Sequence, residues 1–520
     1  MNLSLFNALV VNEVRLRLRR TSTLVGLLAV MMISWRMVGN PANGEAVIII
    51  AGAPALYTSN VIALGSASLA CLLFGLGGFY LVRGRSAEDV RSGLGSVIGA
   101  APIGTVLFLA SRWAGGVAYL GSLMVAFMVT MLGLHLVRGV GPIELSVYLQ
   151  YYALLLLPML FFTVSCVVLF DSVAFLMGKV GDVLYFVVFC AQLGAAITAT
   201  AVATKVVPLV TIFDFSGIGA SMLLIRQAVD STEVSLGLGT FDIKLAPVYL
   251  KAGLWTAELI GLRCACGLLA LLPLLPAVML FHRFSPDRVK VSTAAKRRSP
   301  LAVLNGWLRP IARAVQPLFR LASRWPGMPG QVLADVALTL VTSPSALVAI
   351  LVASVLALVL PLAAMAPLLL AAVCWWGVLI SDVSTRDRDA QTEDITGAVR
   401  GGVARRFARQ YAATALLGFA FTAMVVLRLA PDAPLRALAV VAGVLGMSAL
   451  ASLFGRCAGS ARLFLALFLF WSYLAVNRIP VALLDTFGTS GLATGSTVLA
   501  WCAIAVAAVT GGYWWNRRAS

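Results

Sequence analysis

Hydrophobic positions in this chain come in long unbroken runs, not in the alternations or narrow stripes of a water-soluble domain. A membrane-spanning helix needs about 20 mostly apolar residues. Runs of that kind lie near 23–39, 60–82, 113–137, 148–170, 183–203, 255–281, 346–362, 364–380, 412–429, 434–454, 463–477 and 498–515. They predict about twelve spans, of which 346–362 and 364–380 also read as one bent hairpin with Pro361 and Pro367 at its turn. Ahead of the first run the pattern changes. Leu5, Phe6, Leu9, Val10, Val14 and Leu18 recur at helical spacing, with Asn7, Asn12, Glu13 and arginines between them. That spacing predicts an amphipathic helix lying in the membrane interface. The apolar run after it is too long for a signal-peptide core and is interrupted near its end by Arg36, so it reads as an uncleaved first span.

Two segments break the alternation of spans and turns. Residues 204–254 form an outside insert carrying Asp214, Asp230, Glu233 and Asp242. Residues 282–330 form an inside linker with Lys296-Arg297-Arg298, several prolines, Trp307 and Trp325. The basic run reads as a contact for lipid headgroups. The chain therefore divides into a first half, 1–281, the linker, 282–330, and a second half, 331–520.

The halves repeat each other. Glu13-Val14-x-Leu16-x-Leu18-x-x-Thr21-x-Thr23 precedes the first span, and Asp335-Val336-x-Leu338-x-Leu340-x-x-Ser343-x-Ser345 precedes the seventh at identical spacing. Gly99-Ala100-x-x-x-Gly104 with Ala110-x-x-Trp113-Ala114 matches Gly397-Ala398-x-x-x-Gly402 with Ala408-x-x-Tyr411-Ala412. Both of these lie between the second and third spans of their half. A weaker echo pairs Gly178-Lys179 with Gly455-Arg456 after each fourth span. The expected fold class is an all-α polytopic membrane helix bundle: two parallel six-helix repeats related by an axis along the membrane normal, with interfacial amphipathic helices.

Composition agrees. Of the 520 residues 61% are apolar and only 12% charged, with a mean hydropathy of +0.97. The charged share is half the usual figure of about 25%, which excludes a soluble domain, a disordered chain and a coiled coil. The net charge of +18 could suggest a nucleic-acid partner. Its distribution argues otherwise. With the N-terminus inside, 29 of the 39 Lys and Arg residues fall in cytoplasmic segments, so the positive-inside bias accounts for the excess and places both termini in the cytoplasm.

Chemistry is sparse. The cysteines at 71, 166, 190, 264, 266, 374, 457 and 502 lie mostly in apolar runs, without zinc-site spacing. His135 and His282 are expected at opposite faces, which leaves no basis for a His-based metal site, a heme or a catalytic triad. None of the six lysines follows the Gly-Lys-Ser/Thr pattern of a phosphate loop, so the chain is expected to be neither an enzyme nor its own ATPase. Arg36 and Arg428 sit near span ends and snorkel outward in this reading. Inside the bilayer, Glu258 and Arg263 are the charges to explain, with Arg263 expected a turn deeper and paired to Glu258.

The inside loops after the second span of each half carry the rest. Arg83–Arg112 holds Glu88, Asp89 and Arg91 ahead of Gly99 and Gly104; Arg386–Arg409 holds Asp387, Asp389, Glu393 and Asp394 ahead of Gly397 and Gly402. Each reads as a short mixed-charge helix, a Gly/Pro break and re-entry into a span. With the interfacial helix around Glu13 and Arg17, its counterpart at Asp335, and Lys179-Val180-Gly181-Asp182, these motifs resemble the membrane subunit of an ATP-binding cassette (ABC) transporter of the type-two export class. The resemblance covers the whole chain as two fused six-span halves, whereas many members carry one half and dimerise.

The resemblance implies a permease of the bacterial cytoplasmic membrane. It implies two copies of a separate ATPase, which supply ATP and Mg chemistry, while this chain holds no cofactor. It also implies that Glu13, Arg17, Glu88, Asp89, Arg91, Asp335, Asp387, Asp389, Glu393 and Asp394 contribute to coupling. The cargo is not specified. The alternative is a proton-coupled secondary transporter of the major-facilitator type. Its loop signature is met by Gly84-Arg85-Ser86-Ala87-Glu88-Asp89-Val90-Arg91-Ser92-Gly93 in residue type but not in spacing.

Overall fold

In lipid every backbone N–H and C=O must be paired within its own segment, and runs rich in Leu, Ala and Val satisfy that demand as helices. The computed structural model describes residues 3–19, 21–173, 175–201, 209–229, 231, 233–251, 253–281, 300–398, 402–477 and 481–518. Among them, nine helices are long and apolar enough to cross a membrane, or ten if the bent pair Met328–Thr342 and Pro344–Val359 counts as one span. The chain is thus a polytopic helix bundle. The sequence predicted about twelve spans. The difference lies in length: Thr21–Met37 has 17 residues and Ala461–Val476 has 16, short of the roughly 20 a bilayer core requires. Two compact units are present, Met1–Ala295 and Lys296–Ser520, and the division falls inside the predicted linker. Residues 282–299, with the basic Lys296-Arg297-Arg298 run and His282, lie outside the described residues.

The first unit opens with α1 (Leu3–Leu18) and α2 (Thr21–Met37). A short strand pair follows, β1 (Glu45–Ile50) and β2 (Ala53–Pro54). Next comes α3 (Ser59–Val82), which is buried along nearly all its length and forms the centre of the unit. The loop beyond it folds as α4 (Arg85–Arg91) and α5 (Leu94–Ala100), and then α6 (Thr105–Arg138) returns across the unit. The next span runs as α7 (Leu145–Tyr151), a π-helical turn (Tyr152–Leu156) and α8 (Leu157–Ser172). It is followed by α9 (Lys179–Ala201), α10 (Ile218–Val229), β3 (Val234–Thr240), α11 (Ala257–Leu269) and α12 (Leu274–Leu280).

The sheet was not expected. β1 pairs antiparallel with both neighbours in the order β2-β1-β3, with Glu45 opposite Thr240 and Ile50 opposite Val234. The β-branched run Val47-Ile48-Ile49-Ile50 favours a strand. The insert 204–254 is therefore joined, through β3, to the loop after α2. Part of the insert also dips inward: Ser221 on α10 meets Ser68 of α3 at 2.7 Å, roughly 14 Å along α3 from its first residue at 1.5 Å per residue. The Asp214 carboxylate caps this re-entrant helix, accepting from the backbone N–H of Gly217 and of Ala220 at 3.0 Å each.

The second unit begins with α13 (Pro300–Trp307), a 3₁₀ turn (Arg309–Val315) and α14 (Gln316–Arg324), so the latter part of the predicted linker is helical. Next, α15 (Met328–Thr342) meets α16 (Pro344–Val359) at a bend of 98°. Pro344 opens α16, where its missing N–H costs nothing. An almost perpendicular entry is what an interfacial helix feeding a span requires. Then follow α17 (Met365–Ile380), α18 (Arg386–Asp389), α19 (Glu393–Gly397), α20 (Gly402–Asp432), α21 (Pro434–Ala458), α22 (Ala461–Val476) and α23 (Gly495–Arg518). Small residues let these helices approach closely. Trp376 is fully buried against Gly418 and donates its indole N–H to Thr414 O at 3.1 Å. The Phe468 ring lies on Gly377.

Candidate functional site

The residues expected to couple the protein to a partner gather at the arginine-rich end of each unit. In the first unit the inward stripe of α1 is Phe6, Val10, Glu13 and Arg17, of which the two charged residues are the most buried. A helix can bury an acid here because Gly115 of α6 leaves room: a Cβ at that position would lie 2.8 Å from the Glu13 Cβ. Glu13 Oε1 accepts from Arg17 Nε at 3.0 Å and Nη2 at 2.6 Å, while Arg17 Nη1 donates to Val82 O at 2.5 Å. Arg85 then bridges to the loop, with Nε 3.6 Å from Glu13 and Nη2 3.4 Å from Asp89. Arg112, at the start of the third span, closes on the other oxygen of Asp89. Burial pushes the Glu13 carboxyl up, but Arg17, Arg112 and Arg85 around it outweigh that and hold it below the ordinary carboxylate range.

Beside this cluster, Arg83 ends α3 fully buried. It pairs with Asp182 at 2.8 Å and sits over the rings of Phe79 and Phe170. Its guanidinium also donates to Leu176 O, and the Gly84 N–H reaches the Asp171 carboxylate at 3.0 Å. These contacts tie the loop after the second span to the loop after the fourth, the one that holds Gly178-Lys179.

The second unit repeats the motif with different donors. Arg409, at the start of its third span, is held between Asp335 of α15 at 2.7 Å and Asp387 of α18 at 3.4 Å. Burial lifts the Asp335 carboxyl above its ordinary value in spite of Arg409, and Asp387 beside it adds to the lift. Arg386 Nη1 donates to Thr339 Oγ1 of α15 at 3.1 Å. Glu393 bridges Arg406 at 3.1 Å and Arg456 at 2.7 Å. Burial pushes the Glu393 carboxyl up, but the Arg456 hydrogen bond and both guanidiniums hold it low. Arg456 is fixed in turn by the Asn516 side-chain carbonyl at 2.9 Å.

So the structure brings Glu13, Arg17, Glu88 and Asp89 together in one cluster, and Asp335 with Asp387 in another. Glu393 belongs to a neighbouring group. Glu88, Asp389 and Asp394 face outward, with Glu88 3.3 Å from Arg85. The Arg91 side chain lies outside the described residues. The arginines that organise these acids, Arg85, Arg112, Arg406, Arg409 and Arg456, were not among the residues expected to couple, although four of them stand in the quoted motifs or at the loop bounds. Their signal was position: each stands at a span end next to an acid-bearing loop.

Glu258 and Arg263 do not pair. Five residues apart, they point about 140° from each other around α11. Glu258 is exposed on the first turn, while Arg263 is buried. Arg263 instead donates to Leu154 O at 2.9 Å, Leu155 O at 3.1 Å and Asp214 O at 2.5 Å. Leu154 and Leu155 lie in the π-helical turn, where the backbone register is interrupted and carbonyls are open to outside donors. One guanidinium thus joins α11, the α7–α8 span and the cap of re-entrant α10.

Among the described residues, no group of three or more His, Cys, Asp or Glu could hold a metal ion. No family model, curated protein or solved structure matches the chain.

Proposed function

We propose that this chain is the membrane subunit of an ATP-driven exporter of the ABC type-two class. In this reading the arginine-rich end of each unit faces the cytoplasm and receives one copy of a separate ATPase, two per chain. The observation that carries it is the repeated clasp. In each unit, an acid on the helix before the first span and an acid in the loop after the second span hold one arginine between them: Glu13–Arg85–Asp89 and Asp335–Arg409–Asp387. A plain connecting loop has no need of such a link. A loop that receives a stroke has one, because the clasp passes displacement to the interfacial helix and to the span it feeds. The first clasp is the more deeply buried, and buried charge pairs are suited to rigid transmission because breaking one is costly; the second is about one-fifth exposed. The secondary-transporter alternative gives no reason for an interfacial helix before the seventh span.

The division of exposure separates transmission from contact. Buried Glu13, Arg17 and Asp89 transmit; outward Glu88, Asp389 and Asp394 meet the partner. The test is affinity purification of the full chain from its native membrane in mild detergent, with mass-spectrometric identification of any Walker-motif ATPase. A stoichiometry of two ATPases per chain is expected. Glu88→Lys combined with Asp389→Lys and Asp394→Lys should reduce ATPase recovery while leaving the melting temperature of the permease unchanged, because rim charges act mainly on association. Undiminished recovery, or transport that runs on a proton gradient without an ATPase, would remove the assignment.

A further inference from the structure

The arginine-rich ends of the two units differ in one respect. In the first unit the cavity beside Arg85 and Arg112 measures only about 20 Å³. The second unit holds a cleft of about 580 Å³ between α18, α19, the first turns of α20, the last turn of α21 and Asn516 of α23. Three guanidiniums line it: Arg388, Arg406 and Arg456. The Arg406 side chain is only 4% exposed.

The acceptors in the cleft do not match these donors. Glu393 is shared between Arg406 and Arg456, and Asp394, the other carboxylate of the lining, is exposed at the mouth. Arg406 spends Nη1 on Glu393 O at 2.9 Å and Thr396 Oγ1 at 3.1 Å, yet its buried Nε has no hydrogen-bond partner. A buried guanidinium nitrogen left without an acceptor is costly, and it is the position an oxyanion satisfies. Gly459 makes the third arginine possible. Its left-handed φ of 58° ends α21, and any Cβ there would collide with the Arg388 guanidinium that lies across it.

We propose that this cleft binds a phosphate ester, with Arg388, Arg406 and Arg456 as its donors. Planar guanidinium forks match phosphate oxygens in pairs, which an ammonium cannot do. A volume of about 580 Å³ accepts a headgroup-sized molecule and exceeds the needs of a bare ion. The phosphate is either the headgroup of an acidic lipid entering from the bilayer or a soluble phosphate compound. The inference does not depend on the exporter reading.

The experiment is thermal melting of the detergent-purified full chain with three probes: dioctanoyl phosphatidylglycerol, dioctanoylglycerol with the same chains and no phosphate, and inorganic pyrophosphate at matched ionic strength. Phosphatidylglycerol is expected to raise the melting temperature and dioctanoylglycerol to leave it unchanged. A rise with pyrophosphate as well assigns the site to soluble phosphates, and a rise with the lipid alone assigns it to the membrane. Arg388→Gln, at an exposed position that spares the fold, should weaken the apparent affinity about tenfold, the loss of one charge-assisted hydrogen bond. Arg456→Gln should do at least as much. No rise with either phosphate probe, or equal affinity in wild type and both variants, overturns the proposal.

Discussion

Asp89 and Glu88 are adjacent in sequence and opposite in setting. The Asp89 side chain is 1% exposed between Arg85 and Arg112, while that of Glu88, beside Arg85, is 42% exposed. Removing one member of a buried ion pair strands the other and costs about 3–5 kcal/mol, whereas a surface charge is worth a few tenths. Asp89→Ala should therefore lower the stability of the detergent-purified protein by about 3–5 kcal/mol, with Glu88→Ala within about 0.5 kcal/mol of wild type. Equal melting temperatures for the two variants would show that Asp89 is solvated and that the cluster does not exist. Sequence pattern marked both acids correctly as features of the loop but could not rank them, because burial is decided by which side chains come from elsewhere. Arg112 and Glu13 reach Asp89 and Arg85 from other helices. The failure at Glu258 and Arg263 has a local cause instead. A spacing of five residues separates two side chains on a helix, and the periodicity alone excludes their pairing.

At the scale of elements, the helices were legible and the sheet was not. Long apolar runs have one solution in lipid, so the predicted runs are found as helix among the described residues, although Thr21–Met37 and Ala461–Val476 fall short of a span and α6 and α20 begin eight and ten residues before their predicted runs. α1 was foreseen as an interfacial helix, but its inward stripe was read as apolar only. Glu13 and Arg17 complete that stripe because each neutralises the other. The strands escaped notice for a different reason. β1 is six residues long, and its partner β3 follows only after four further spans, so no local pattern connects them. The pairing makes a direct prediction. Cysteines replacing Glu45 and Thr240, which face each other across the register, lie within disulfide reach. Cysteines replacing Glu45 and Val234 are separated by the length of β3, about 20 Å at 3.3 Å per residue. Mild oxidation followed by peptide mass spectrometry should find the first bridge and not the second. The reverse result, or neither bridge, would mean that insert and loop are not joined by this sheet.

For the whole molecule the sheet also constrains which segments share a side. Strands that exchange hydrogen bonds lie at one end of the bundle, so an even number of crossings must separate β1 from β3. Among the described residues four apolar helical segments intervene, α3, α6, α7–α8 and α9, and α10, at 12 residues, is too short to add a crossing. The arginine clusters of this unit lie at the other end, since Arg83 and Arg85 follow the last residue of α3 whereas β2 precedes its first. Positive charge near span ends is retained on the cytoplasmic side, so the proposed orientation, with the arginine clusters in the cytoplasm, predicts the sheet outside. An epitope inserted after Ser231, between α10 and β3, should therefore be reached by antibody on intact spheroplasts. One appended after Ser520 should be reached only once the membrane is permeabilised. If the Ser231 epitope is protected while the protein remains folded, the sheet lies on the cytoplasmic side, which a cytoplasmic N-terminus permits only with an even number of crossings before it. The arginine-rich end of the first unit would then face away from any cytoplasmic ATPase, and the clasp Glu13–Arg85–Asp89 would have no partner stroke to transmit.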